Sequence, residues 1–200
     1  SFPCASTSLG SMSIKNIPIG SATYANHIAT SIASAGSVKD FQLLGCSLTA
    51  IPTGLKDFGA TLTGLSLQNN PSITTWDTTT MSALSGLRWL DLKSNKGLTS
   101  LPSDAFAGFH DSLENVDLSN TGLDVASTAV ALKTLTVLQN FDVTGTPWCK
   151  TTLTTTDSTA LCGMIADIPF FAGGGKALCR EETVNAGDFV GSRKSKDLCP

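Results

Sequence analysis

The sequence repeats itself at a nearly constant period, and this repeat constrains the fold more than any other feature. Five segments fit the pattern L-x-x-L-x-L-x-x-N-x-L, two of them with one extra residue before the last apolar position. They are VKDFQLLGCSL (38–48), LTGLSLQNNPSI (62–73), LRWLDLKSNKGL (87–98), LENVDLSNTGL (113–123) and LQNFDVTGTPW (138–148). Their central apolar residues are separated by 24, 25, 26 and 25 residues. Such a period predicts stacked structural units that each contact only their neighbours.

The pattern also predicts a parallel sheet with two buried rows. Apolar residues two apart in a strand point to one face, and a single repeat cannot bury its own row, so the strands must stack in register. The segment LGSMSIKNIPI (9–19) fits as an N-terminal capping repeat, and a helix is expected around residues 24–35. The predicted buried residues are Met12, Phe41, Leu65, Leu90, Val116 and Phe141 in one row, and Ile14, Leu43, Leu67, Leu92, Leu118 and Val143 in the next.

The remaining strand positions face outward in three columns, which are the candidate ligand contacts. The first column is Ser11, Asp40, Gly64, Trp89, Asn115 and Asn140. The second is Ser13, Gln42, Ser66, Asp91, Asp117 and Asp142, and the third is Lys15, Leu44, Gln68, Lys93, Ser119 and Thr144.

Two outward features point to binding, and each has a structural alternative. Trp89 is a large aromatic residue among small polar ones, which is typical of an interface anchor, or it packs flat over the backbone of a neighbouring strand. Asp91, Asp117 and Asp142 form an acidic column that would attract a basic ligand or a cation, or they belong to the repeat pattern itself, with Lys93 neutralising part of their charge.

The asparagine position of the repeat is held by Asn70 and Asn95, where the chain turns away from the strand. A buried amide there satisfies backbone groups that the turn leaves unpaired. The other repeats place Ile17, Cys46, Thr121 and Thr146 at this position.

The cysteines predict stapled ends in an oxidising compartment. Their number is even, and their spacing lacks the close pairs typical of zinc sites. We expect a bridge from Cys4 to Cys46 and two more bridges among the other four, whose pairing the sequence leaves open. The six residues are Cys4, Cys46, Cys149, Cys162, Cys179 and Cys199.

Several function classes are disfavoured. The net charge of −3 argues against nucleic-acid binding, and no apolar run approaches the ~18 residues of a membrane span. The two histidines, His27 and His110, lie in no catalytic or metal-binding motif. We therefore expect no enzyme activity, no metal and no cofactor. The chain begins at Ser1 without Met, which fits a mature protein after removal of a signal peptide.

The repeats resemble the extracellular leucine-rich-repeat family. LPSDAFAGF (101–109) resembles the family's convex segment, and TPWC (146–149) followed by three cysteines resembles its cysteine-rich C-terminal cap, with Thr146 in place of the usual Asn. The Ser/Thr-rich repeats also look like secreted leucine-rich-repeat proteins of oomycetes. The resemblance implies an α/β solenoid: a right-handed superhelix with a parallel concave sheet of about six strands between disulfide-bonded caps. The domains would be 1–37 (cap and atypical first repeat), 38–148 (repeats) and 149–200 (C-terminal cap).

The function that the resemblance implies is a secreted or cell-surface recognition module, such as a receptor ectodomain, that binds a protein or peptide on its concave face. The alternatives are a structural, matrix or adhesion protein and a carbohydrate binder. The expected ligand contacts are Trp89, Asp91, Lys93, Asn115, Asp117, Asn140 and Asp142.

Overall fold

A computed structural model describes residues 10–149, 168–172, 177–178 and 192–193 of the chain. Its main element is one sheet whose strands follow each other in chain order. The strands are β1 (Ser11–Lys15), β2 (Asp40–Leu44), β3 (Gly64–Ser66), β4 (Trp89–Asp91), β5 (Asn115–Asp117), β6 (Asn140–Asp142), β7 (Ala177–Leu178) and β8 (Ser192–Arg193). Strands β1 to β7 run parallel, and β8 is antiparallel to β7.

The six strands of the repeats pair in the register that the sequence predicts. Trp89 of β4, for example, lies beside Gly64 of β3 and Asn115 of β5. The register is in phase because a slip of one residue would turn each apolar row to solvent. The repeat fold with a six-stranded parallel sheet is therefore confirmed, and the two short strands β7 and β8 extend it.

The two predicted apolar rows form the centre of the core, with one exception at the N-terminal edge. Met12 and Ile14 are only half-buried, because β1 is the first strand of the sheet as far as the structure describes it, and it pairs with one described strand only. The other members are each at most 2% exposed: Phe41, Leu65, Leu90, Val116 and Phe141, and Leu43, Leu67, Leu92, Leu118 and Val143.

The chain returns between strands through short helices that add a second apolar layer. Asp77 precedes α2 (Thr78–Ser82) and Asp124 precedes α3 (Val125–Leu132). Their side chains accept hydrogen bonds from Thr80 N (3.1 Å) and Ser127 N (2.8 Å), which fixes where these helices begin. None of the described helices is long and apolar enough to cross a bilayer. The described helices are α1 (Ala22–Ala33), near the predicted position, α2 (Thr78–Ser82), α3 (Val125–Leu132), α4 (Pro169–Ala172) and the 3₁₀ helices Thr53–Thr61, Ala107–Phe109 and Pro147–Cys149.

Buried asparagines tie successive turns together in the middle of the array. The Nδ2 of Asn70 donates to Leu43 O (2.9 Å) and Leu67 O (2.7 Å), and its Oδ1 accepts from Cys46 N (2.9 Å) and Leu48 N (3.1 Å). One side chain thus satisfies backbone groups of its own repeat and of the preceding one, as the sequence predicts.

Towards the C-terminus, the residues at the asparagine position do not link successive repeats in this way. Thr121 and Thr146 each donate one hydrogen bond, to Leu118 O (2.7 Å) and Val143 O (2.6 Å), within their own repeats. A hydroxyl is too short to link two turns in the way that the amide does.

A regular backbone feature at the end of each strand was not predicted. In all six repeats, the residue just before the asparagine position has a left-handed conformation, which turns the chain out of the strand. Asn and Gly tolerate this conformation best, and they fill five of the six positions. The residues are Asn16 (φ 56°), Gly45 (62°), Asn69 (59°), Ser94 (61°), Asn120 (57°) and Gly145 (73°).

The structure does not show the predicted bridge from Cys4 to Cys46. Cys46 is a free cysteine, fully buried at the asparagine position, and its Sγ lies 3.5 Å from the carbonyls of Ile14 and Leu44. Burial raises the pKa of this thiol, although a hydrogen bond with the backbone of Ile17 acts in the opposite direction. The thiol thus takes the place that the asparagine amide holds in the two following repeats.

The other predicted bridges are not tested. Cys149 ends the last 3₁₀ helix, and nothing is described of its side chain. Most of the predicted C-terminal cap lies outside the described residues. The same holds for four cysteines: Cys4, Cys162, Cys179 and Cys199.

Candidate ligand-binding face

An open depression of about 240 Å³ lies on the outer face of β4, β5 and β6. It brings together six of the seven contacts expected from the sequence, and Lys93 is not among its lining residues. It is lined by Trp89, Leu90, Asp91, Asn115, Val116, Asp117, Asn140 and Asp142. Leu90 and Val116 belong to the buried rows, and we call the other six residues the β4–β6 face.

Trp89 extends from β4 across β3 towards β2. It is half-buried, and its indole Nε1 donates to Asp40 Oδ1 at 3.3 Å. The indole occupies the space over Gly64, where a Cβ atom would overlap both the ring and the carboxylate of Asp40. Trp89 therefore covers the backbone of a neighbouring strand, as the structural alternative for this residue predicts, and it also lines the depression.

Asn115 and Asn140 form a pair of amides on β5 and β6. The Nδ2 of Asn140 donates to Asn115 Oδ1 at 2.6 Å. Within the described part of the chain, the amide nitrogen of Asn115 and the amide oxygen of Asn140 have no hydrogen-bond partner. The pair can therefore offer one donor group and one acceptor to a ligand.

The three aspartates share one structural task. One oxygen of each accepts a hydrogen bond from the backbone N–H two residues later, at Lys93 N (2.9 Å), Ser119 N (2.8 Å) and Thr144 N (2.9 Å). Such bonds satisfy an N–H group where the strand ends. Ser66 has the same relation to Gln68 N, at 3.4 Å. One oxygen of each aspartate is thus used by the turn that ends its strand, as part of the repeat geometry. Only the second oxygen can make other contacts.

Asp91 differs from the other two aspartates in its surroundings. Its second oxygen accepts from Ser66 Oγ at 3.0 Å. Burial is the main reason that its pKa is raised, and the charge of Asp117 adds to this, whereas the backbone N–H of Lys93, the hydroxyl of Ser66 and the ammonium of Lys93 act in the opposite direction. The charge of Asp91 is therefore partly compensated inside the protein.

Among the described residues, Asp117 and Asp142 have no contacts that compensate their charge as those of Asp91 do. In the third column, Lys93 follows Asp91, whereas Ser119 and Thr144 follow Asp117 and Asp142. Ser119 and Thr144 are 2% and 7% exposed. No hydrogen-bond partner is present for the second carboxylate oxygen of either aspartate among the described residues. The third column is thus not an exposed contact surface on β5 and β6.

Metal ligation and acid–base chemistry have no evident site in the described residues. They contain no group of three or more His, Cys, Asp or Glu side chains placed to hold a metal ion. His27 lies exposed on α1, and His110 lies in a surface turn with its Nδ1 2.9 Å from Ala107 O.

The fold and the face define a class: a repeat protein that presents a polar sheet face containing one aromatic residue. Residues 60–123 match the family model described as leucine rich repeat. The match and the fold together support a leucine-rich-repeat protein. Domains of this family commonly mediate protein–protein recognition and are generally not enzymes.

Other comparisons add little. A comparison with curated proteins finds no match. The tropomodulin C-terminal domain of Caenorhabditis elegans is similar to this chain at 14% identity, over 90% of this chain and 77% of that chain, with a TM-score of 0.30. At that TM-score, the likeness supports no conclusion about fold or function.

Proposed function

We propose that this protein is a recognition module that binds a protein or peptide on the β4–β6 face. The observation that carries the proposal is the depression itself, which three consecutive strands line with an indole, two amides and three carboxylates. An aromatic residue combined with hydrogen-bonding groups is typical of a recognition surface.

The geometry of Trp89 supports this role. The ring is held by Gly64 beneath it and by Asp40 at its Nε1, so little side-chain entropy remains to be lost when a ligand packs against it. The amides of Asn115 and Asn140 can pair with the main chain of a peptide, which offers the complementary N–H and C=O groups.

Selection from a displayed random peptide library, with the purified protein as target, tests the proposal. We expect enriched peptides whose affinity falls about tenfold or more with Trp89→Ala, because loss of a central aromatic contact commonly costs about 2 kcal/mol. Val137→Ala is the control, since Val137 is 38% exposed and lies outside the β4–β6 face.

Three results would contradict the proposal. One is the absence of any enriched peptide whose binding depends on Trp89. Another is binding of a neutral glycan on an array that Trp89→Ala abolishes, which would favour a carbohydrate binder. The last is self-association in a gel-filtration concentration series that Trp89→Ala also abolishes, which would favour a matrix role.

The proposal includes an extracellular location, supported by the six cysteines and the low content of charged residues, 14%. Alkylation of the unfolded, unreduced protein followed by mass spectrometry tests this. We expect Cys46 to be labelled, and Cys149, Cys162, Cys179 and Cys199 to be protected as disulfides. Labelling of all six cysteines would contradict an oxidising compartment.

A further inference from the structure

One carboxylate of the outer face lies against the indole of Trp89. Asp40 Oδ1 accepts from Trp89 Nε1 at 3.3 Å, and Thr63 Oγ1 lies 3.5 Å from the same oxygen. Among the described residues, Asp40 Oδ2 has no hydrogen-bond partner. Asp40 therefore uses one oxygen to hold the indole and keeps the other for a further donor.

The indole is covered on one side. Its Cε2 and Nε1 atoms occupy the space over Gly64, where an added Cβ would overlap both of them. Trp89 as a whole is only half-buried. The exposed part of the ring is therefore the side that is turned away from the sheet, and this side has the Asp40 carboxylate at its Nε1 edge.

The surrounding charges favour a cation at this place. Across β1 to β6, the first two outward columns contain the carboxylates of Asp40, Asp91, Asp117 and Asp142 and no cationic side chain. A basic group of a ligand is thus attracted to the outer face, and an acidic group is repelled from it.

An aromatic face with a carboxylate at its edge is complementary to a guanidinium. The guanidinium is planar, so it can stack on the indole and direct N–H donors from its rim to a carboxylate oxygen. An ammonium can donate to the carboxylate, but it has no plane that stacks on the ring.

From this arrangement we infer that the ligand places an arginine side chain on the exposed side of the Trp89 indole, with its guanidinium donating to Asp40. The inference rests on the proposed function and names one residue of its ligand. Because Trp89 belongs both to this site and to the β4–β6 face, one peptide can occupy the two together.

Peptides selected on the wild-type protein test the inference without any change to the protein. We expect one position at which the Trp89-dependent peptides share an arginine. Its replacement by citrulline keeps the planar group and removes the charge, and it should weaken binding about tenfold or more. Lysine keeps the charge and loses the plane, so it should weaken binding by a smaller factor.

Asp40→Asn removes the charge of the site and keeps an acceptor for the indole. The Oδ1 of asparagine can accept from Trp89 Nε1, so the tryptophan emission and the indole N–H resonance of Trp89 should stay as in wild type. The arginine peptides should bind this variant about tenfold more weakly. Citrulline peptides should lose little more on the variant, because both changes remove the same contact.

Asp104→Asn is the matched control. It removes one carboxylate charge from an exposed position on the return segment between β4 and β5, and affinity should stay within about twofold of wild type. An equal loss in Asp104→Asn and Asp40→Asn would overturn the inference, because net charge alone would then explain the effect.

The inference and the proposed function fail in different ways. Trp89-dependent peptides that bind equally well with citrulline in place of arginine would overturn the inference alone, and so would unchanged binding of the arginine peptides to Asp40→Asn. The citrulline comparison decides the case in which Asp40→Asn moves the indole. A lack of any Trp89-dependent peptide would overturn the proposed function itself.

Discussion

The two faces of β4, β5 and β6 are built from alternating residues of the same short strands, yet they follow different rules. The inner residues Leu90, Val116 and Phe141 are at most 2% exposed, and apolar size is their common requirement. The outer residues differ in chemistry from strand to strand and are partly exposed. The inner face therefore determines whether the sheet forms, and the outer face can vary without unfolding the repeat.

Leu90→Ala should lower the free energy of unfolding far more than a change on the outer face does. Leu90 is 1% exposed between the buried residues of β3 and β5, and its truncation should lower the free energy of unfolding by about 4 kcal/mol. Asp117→Asn on the outer face should change it by about 0.5 kcal/mol or less. Urea unfolding followed by circular dichroism measures both. Comparable losses in the two variants would contradict the claim that the inner face, and not the outer face, determines stability.

The asparagine position extends the comparison to the ends of the strands. Asn70→Ala should cost about 3 kcal/mol, because it leaves buried backbone groups of two repeats without partners. Thr121→Ala removes one hydrogen bond within one repeat and should cost about 1 kcal/mol. The same urea titration provides the test, and an equal cost at the two positions would show that the amide does not link the turns.

Gly64→Ala should lower both the stability of the fold and the affinity of the outer face for a peptide. The new Cβ would meet the indole of Trp89 and the carboxylate of Asp40, so the ring must leave its place. We expect a loss of about 2 kcal/mol from this overpacking, a red-shifted tryptophan emission and weaker peptide binding. Gly10→Ala is the control, since open space surrounds Gly10. Unchanged emission and affinity in Gly64→Ala would show that peptide binding does not depend on the position of the Trp89 indole over Gly64.

Asp91→Asn should have the smallest effect, and that effect should depend on pH. Because the pKa of Asp91 is raised in the fold above 3.8, mainly by burial, the folded state binds more protons than the unfolded state just above that pH. In the wild-type protein, the protonated carboxyl of Asp91 therefore contributes stability. This contribution is fully present below pH 3.8 and is lost as pH rises through the folded pKa. Asparagine carries no charge, keeps one acceptor oxygen for the backbone N–H of Lys93, and places an NH2 donor beside Ser66 Oγ, which can accept from it.

The variant should therefore match wild type at low pH and become slightly more stable as pH rises to neutral. Thermal unfolding at a series of pH values measures the difference. A difference that stays constant with pH, or that has the opposite sign, would contradict the burial of this carboxylate.

The sequence predicts the inner face far better than the outer face. A row of apolar residues at a constant period has only one stacking that buries it, so the register follows from spacing, as Trp89 beside Gly64 shows. The repeat alignment places Gly64 beside Trp89, but it does not reveal that the indole turns to that side and reaches Asp40. Cys46 takes the place of the asparagine in the first full repeat, and in the structure it is a free, buried cysteine.

The left-handed turn residues could have been found from the sequence. Asn or Gly stands directly before the asparagine position in five of six repeats, and Ser94 completes the set. The strand-end role of the aspartates was harder to predict, because it depends on an N–H group two residues away in the folded turn.

The central claim is that a ligand contacts the outer face of β4–β6, and the indole N–H resonances test it most directly. The chain has three tryptophans, of which Trp148 is fully buried, Trp76 packs against Phe106 and Trp89 lies on the outer face. Titration of the ¹⁵N-labelled protein with a selected peptide should move the Trp89 indole signal and leave the other two in place. Movement of the Trp76 or Trp148 signal with an unchanged Trp89 signal would contradict the claim.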